Sequence, residues 1–179
     1  GIAYALCGLG GTHRISGKFK ESLNYYKQAS ETFKMLKDKF GTAYSHCGIG
    51  NAFRMLGNYS DALKHFKKAI ALYEDIGDMV SYSYTLWSLA TVHKMEMDFD
   101  NARLYIKKAL KNFKNTKDSR GIIYCNLSLG EIDFIEGNKH IAEDRFLSAM
   151  DIAAKHNFKL EKCHSEALLN YIKGQGLRV

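Results

Sequence analysis

The chain of 179 residues has no proline, 15 glycines, 11 Tyr, 10 Phe and 46% hydrophobic residues, which excludes an intrinsically disordered chain and leaves room for one ordinary domain. Its 26 Lys and Arg against 19 Asp and Glu give a net charge of +7, a moderate basic excess that suits an acidic partner without requiring nucleic acid. Cys7, Cys47, Cys125 and Cys163 form no CxxC pair and read as free thiols of a reducing, cytoplasmic compartment, and the longest uncharged stretch, Met79 to His93, falls short of a membrane span.

Offset by 40 residues, the sequence aligns with itself without a gap, giving rows 1–40, 41–80, 81–120 and 121–160. Small residues keep register in three columns: Gly10, Gly50, Ala90 and Gly130; Ser22, Ala62, Ala102 and Ala142; Ala29, Ala69, Ala109 and Ala149. Large residues do the same, as in Leu9, Ile49, Leu89 and Leu129, or Tyr26, Phe66, Ile106 and Phe146. Small residues at a crossing let two helix backbones approach closely while a neighbouring Leu or Phe fills the gap.

Taken in chain order, each row reads as two helices. Row one breaks at Gly17 and again at Asp38, row two at Gly57 and Asp78, row three at Met97 and Asp118, and row four at Gly137. In row two, Ala62, Phe66, Ala69, Ile70 and Tyr73 recur at the spacings of one helical face. Ser60 and Asp100 are expected as N-caps, Gly57 and Gly137 as left-handed helix ends, and the second helix of each row as the longer one. A ninth helix, residues 161–173, is expected to cap the stack, with Asn170 standing where the rows have Gly or Ala and Gly174-Gln175-Gly176 ending it. The chain opens on Gly1-Ile2-Ala3-Tyr4 without Met, the look of a piece cut from a longer protein, and its first helix, left without a cap, is a surface for further repeats or for self-association.

The spacing of Ile49-Gly50, Ala62, Phe66 and Ala69 resembles the tetratricopeptide repeat (TPR), and the runs Gly41-Thr42-Ala43-Tyr44 and Leu56-Gly57-Asn58-Tyr59-Ser60-Asp61-Ala62-Leu63 look like its longer variety, found in Pins/LGN-type adaptors, kinesin light chains and bacterial regulators. The resemblance covers rows one to four. It departs from the family where Leu6, His46, Leu86 and Asn126 replace the early aromatic, and in having no proline stop. It implies an all-α fold: a TPR-like α-solenoid of antiparallel helix pairs in a right-handed superhelix, with residues 1–179 as a single domain. It also implies that the first helix of each pair lines a concave groove that binds a protein or peptide.

In that groove the resemblance places the tyrosines Tyr44, Tyr84 and Tyr124 in line with Tyr4; Cys47 and Trp87 in line with Cys7 and Leu127; Asn51; and the cationic column Arg14, Arg54 and Lys94. Tyr and Trp supply large contact areas with few rotors to freeze, and Arg binds carboxylates through two hydrogen bonds, so a partly acidic peptide is the expected ligand. Asn51 stands where related arrays grip a partner's backbone or carboxylate. The two functions expected are an interaction scaffold and a sensor module controlling an attached enzyme or DNA-binding domain.

Chemistry finds no foothold. Gly8-Leu9-Gly10-Gly11 belongs to a helix column rather than a phosphate loop, and His46-Cys47 and Cys163-His164 are neighbours that diverge on a helix. No enzyme activity, metal, cofactor or small-molecule substrate is expected. Lys67, Lys68, Lys107, Lys108, Lys111 and Lys114 read as a solvated outer face, and Glu131, Asp133 and Glu136 as a solvated rim. Row four, with 4 basic against 6 acidic residues, argues against nucleic acid as the partner.

Overall fold

The structure is a computed structural model that describes residues 1–174; Gln175 and Gly176, read above as part of a helix end, lie outside them. The described residues form nine α-helices: α1 (Ile2–Ile15), α2 (Phe19–Met35), α3 (Lys39–Met55), α4 (Tyr59–Ile76), α5 (Met79–Met95), α6 (Phe99–Asn115), α7 (Ser119–Ile135), α8 (Lys139–Lys155) and α9 (Lys159–Ile172). Turns of two or three residues join them, short enough to force consecutive helices antiparallel. The fold is all-α, as the periodicity predicts.

Two details differ from the sequence reading. The second helix is the longer one only in the first two pairs, 17 residues against 14 and 18 against 17; in the last two pairs both helices have 17 residues. The 40-residue unit is two matched halves, each closed by one left-handed residue, at Gly17, Lys37, Gly57, Gly77, Met97, Lys117, Gly137 and Asn157. Glycine adopts this conformation freely, whereas Lys37, Met97, Lys117 and Asn157 hold it at φ of 56 to 61° against the clash of their own Cβ.

The N-caps also fall two residues earlier than expected, because the left-handed residue is followed directly by the cap. Asn58 and Asp98 accept from the backbone N–H of Asp61 and Asn101, each at 3.3 Å, while Ser60 and Asp100 lie inside the first turns of α4 and α6. The aspartates that mark the breaks between rows are caps as well. Asp38, Asp78 and Asp118 accept from Gly41, Ser81 and Gly121 at 2.8, 3.0 and 2.8 Å, satisfying first-turn donors that have no partner within the helix.

The chain divides into two compact units, Gly1–Val92 and the residues from His93 onward. In the first, the Tyr26 ring of α2 is wedged between glycines of the two helices beside it. A Cβ on Gly10 would lie 2.8 Å from that ring, and one on Gly48 would collide with it. Phe33 occupies the corresponding place against Gly41, and Phe66 against Gly50, where a Cβ would come within 2.7 Å. Ser81 stands in the Gly41 column and is hydrogen-bonded to Tyr73, which stands in the Phe33 column. In the second unit Phe113 packs on Gly121 and Phe146 on Gly130, within a core of Ile123, Leu127, Ala142, Ala149, Ala153, Leu169 and Ile172.

Gly50→Leu is therefore expected to overpack the α3–α4 hairpin, costing about 3 kcal/mol or more, measured as a lowered urea midpoint; unchanged stability would refute the assigned crossing. Met97→Gly is expected to act oppositely. Relief of the left-handed backbone offsets the added freedom of the unfolded chain and raises stability by up to about 1 kcal/mol in the same measurement.

Candidate peptide-binding face

On α3, Tyr44, Cys47, Asn51 and Arg54 follow one another at spacings of three and four and share a face of the helix. Arg14 holds the matching position on α1, and Tyr84 and Trp87, both half-buried, those on α5. The Asn51 side-chain amide donates to the Cys47 carbonyl at 3.1 Å, which fixes its orientation, and its Oδ1 then accepts from Arg54 Nη2 at 3.3 Å. The Cys47 thiol lies 3.8 Å from both Asn51 Nδ2 and Thr85 Oγ1.

Arg54 is the unusual group. Its Nε is buried and has no hydrogen-bond partner, and among the described residues no carboxylate pairs with it or with Arg14. Burial lowers its pKa, and the like charge of Arg14 lowers it further. The surrounding acids remain neutral. Burial pushes the Tyr26 hydroxyl up to about 12 and raises those of Tyr44 and the Cys47 thiol, with Arg14 pulling each of them back. The face thus holds two positive charges, no negative one, and a guanidinium already stripped of much of its water.

The other sequence-derived positions have partners inside the fold. Lys94, the third member of the cationic column, is ion-paired with Glu131, and both are largely buried. Tyr4 and Tyr124 donate to carboxylates at the start of the following pair, Asp38 at 3.2 Å and Glu161 at 3.0 Å, so these hydroxyls bind one repeat to the next. Tyr44 is 43% exposed and stacks beside Phe40.

Of the three carboxylates expected at a solvated rim, only Glu136 is exposed; Glu131 is half-buried and Asp133 buried. Buried Asp133 accepts from Arg103 at 2.8 Å and from Arg145 at 2.5 Å, and Arg103 also pairs with Glu136. These arginines come from α6 and α8, so Asp133 of α7 and Glu136 at its C-cap close an ionic network within the second unit, and Glu131 pairs separately with Lys94. Beside it, between α7 and α9, is a cavity of about 380 Å³ lined by Phe134, Ile135, Leu168 and Tyr171, with the Lys94–Glu131 pair among its walls.

His46 and His65 meet across the α3–α4 hairpin with their Nδ1 atoms 3.1 Å apart, a pair the sequence reading missed. Burial, the neighbouring His65, and Lys34 and Lys68 push His46 down to about 4. Among the described residues no three His, Cys, Asp or Glu side chains gather as a metal site, and no helix is long and apolar enough to cross a membrane.

The described residues form a tandem array of antiparallel helix hairpins. Residues 1–75 match the family model described as tetratricopeptide repeat, and the described residues have the tetratricopeptide fold throughout. Similar solved structures include aspartyl phosphate phosphatase F from Bacillus subtilis, with TM-score 0.84 and 19% identity over 95% of this chain and 45% of that one. The apo form of RapI is similar, with TM-score 0.81 and 16% identity over 95% and 62%. So is a putative kinesin light chain of Podosopora anserina with nearly identical TPR-like repeats, at TM-score 0.71 and 15% identity over 96% and 86%. The chain thus spans about half the length of the phosphatase and under two thirds of RapI. No curated protein matches its sequence.

The depressed pKa of His46 sets an acid sensitivity. Its folded-state value of about 4 lies below the ordinary 6.5, so its contribution to stability is complete above pH 6.5 and is lost as pH falls toward 4. The urea midpoint of the wild type is expected to fall more between pH 7 and pH 4.5 than that of His46→Gln; equal losses would refute this role for the pair.

Proposed function

We propose that this chain captures an acidic segment of a partner protein on the face formed by α1, α3 and α5, with Arg14 and Arg54 holding the acidic side chain, Asn51 orienting Arg54, and Tyr44, Cys47 and Trp87 giving contact area. The observation that carries this reading is the contrast among the arginines. Arg103, Arg120 and Arg145 each meet a carboxylate of the fold, whereas Arg14 and Arg54 meet none. A buried cation without a partner is costly, and an incoming carboxylate relieves that cost where water cannot. Lys94, neutralised by Glu131, plays no part in the capture. We place the protein in the cytoplasm, where its four unpaired thiols stay reduced.

A second reading makes the chain the sensing module of a larger regulator. It is favoured by the likeness to aspartyl phosphate phosphatase F, of which the chain spans only 45%. Both readings share the capture site and differ in what is attached to it.

Arg54→Glu is expected to weaken binding of a fluorescently labelled, glutamate-rich peptide at least tenfold in an anisotropy titration. Removing one partner of a charged contact costs about 2–5 kcal/mol. The melting temperature is expected to stay within a few degrees of wild type, since the substitution removes a charge that the fold leaves unpaired. Equal affinity for both proteins would eliminate the capture site.

A further inference from the structure

We infer that the Arg14–Arg54 site is matched to a dianion, and that a phosphoryl group, borne by the captured segment, fits it better than a single carboxylate; this rests on the capture reading above. Three observations carry the inference. First is the charge count: two guanidinium groups act on one another, and the described residues around them supply no carboxylate. A monoanion leaves one of the two charges uncompensated, while a phosphoryl dianion neutralises both.

Second is the arrangement of donors. Asn51, anchored to the Cys47 carbonyl, holds Arg54 by one Nη2 hydrogen and leaves the buried Nε unbonded. Guanidinium offers its N–H groups as a rigid fork that matches phosphate oxygens in pairs, and here Asn51 fixes the orientation of that fork. Third, the neighbouring acidic groups do not compete. Tyr26, Tyr44 and Cys47 all have raised pKa values and stay protonated at neutral pH, so the hydroxyls act as donors rather than as opposing charges.

Two other charged groupings among the described residues differ from this one. The cluster of Asp133 and Glu136 with Arg103 and Arg145 is internally neutralised, and the lysines of α6 are exposed.

The test follows the Arg54 Nε–Hε signal by 15N NMR while the intact chain is titrated with four probes: a phosphoserine peptide, its glutamate twin, inorganic phosphate and dimethyl phosphate. The expected result is a shift with the phosphoserine peptide at an affinity at least tenfold above the twin, lost in Arg14→Gln and in Arg54→Gln. The affinity is expected to rise between pH 5.5 and 7.5 as the second phosphate proton leaves, near a pKa of about 6. The glutamate twin does not titrate in that range and corrects for any change in the protein.

If the twin binds as tightly, the phosphoryl inference falls and acidic capture stands. Should inorganic phosphate alone bind, the dianion site stands and peptide capture falls. Equal binding of dimethyl phosphate, a monoanion, overturns the dianion match, and silence with every probe overturns both readings.

Discussion

An aromatic ring seated on a residue without a side chain sets the dimensions of this fold. Tyr26 lies against Gly10 on one side and Gly48 on the other, so one ring fixes the approach of α2 to both helices that flank it. Phe33 against Gly41, Phe66 against Gly50, Phe113 against Gly121 and Phe146 against Gly130 repeat the device. A single methyl at any of these glycines has no space, and close packing transmits such an error to the neighbouring side chains. Within the first unit the spacing from one hairpin to the next is therefore set by rings and glycines of constant size, and residues forty apart in sequence come into register in space. This brings Arg14 within electrostatic reach of Arg54.

Against this regular frame the two units treat charge differently. The second unit pairs its buried carboxylates with cations. Asp133 takes two arginines, Glu131 takes Lys94, and Glu161 takes Arg120 and the Tyr124 hydroxyl. Buried pairs of this kind contribute little net stability relative to apolar packing, but losing one partner is expensive, so they tie each helix to its neighbour in one arrangement. The first unit leaves its arginines unpaired on the same helical position of successive repeats. An isolated buried charge is the more costly solution, and within a fold this repetitive it has a local cause: Gly11, Asn51 and Thr91 occupy the column where α7 carries Glu131.

Features that depend on periodicity alone were legible in the sequence. The forty-residue offset, the glycine and alanine columns, the number of helices and the turn glycines follow from side-chain size and helical phase. Features that need the turn's own geometry were less so. Because Gly57 is visible as a helix end but Lys37, Met97, Lys117 and Asn157 carry no such mark, the recurrence of the left-handed residue every twenty positions is hidden in the sequence, and the expected caps fall two residues late. Pairings across helices were the least legible. Arg103 and Asp133 are 30 positions apart, and His46 and His65 are 19 apart, on different helices; their meeting depends on helix rotation, which hydrophobic phase fixes only to within a residue or so. For the candidate face, the sequence supplied the column but not the fact that decides its meaning, that Lys94 is neutralised and Arg54 is not.

That difference bears on affinity. A surface arginine in water must give up its hydration and freeze its rotors when an anion arrives, and both costs count against binding. Arg54 has already lost much of its hydration in the free protein, and Asn51 holds one of its nitrogens in place. These costs have moved from binding to folding, where they weigh on stability as a buried charge with an unsatisfied Nε. A helical array can carry that load because its stability comes from many equivalent ring-on-glycine contacts and not from the residues around Arg54. Separating the two roles in this way leaves the Asn51 column free to vary from repeat to repeat, with glycine, asparagine, threonine and glutamate at one position, while the packing columns barely change.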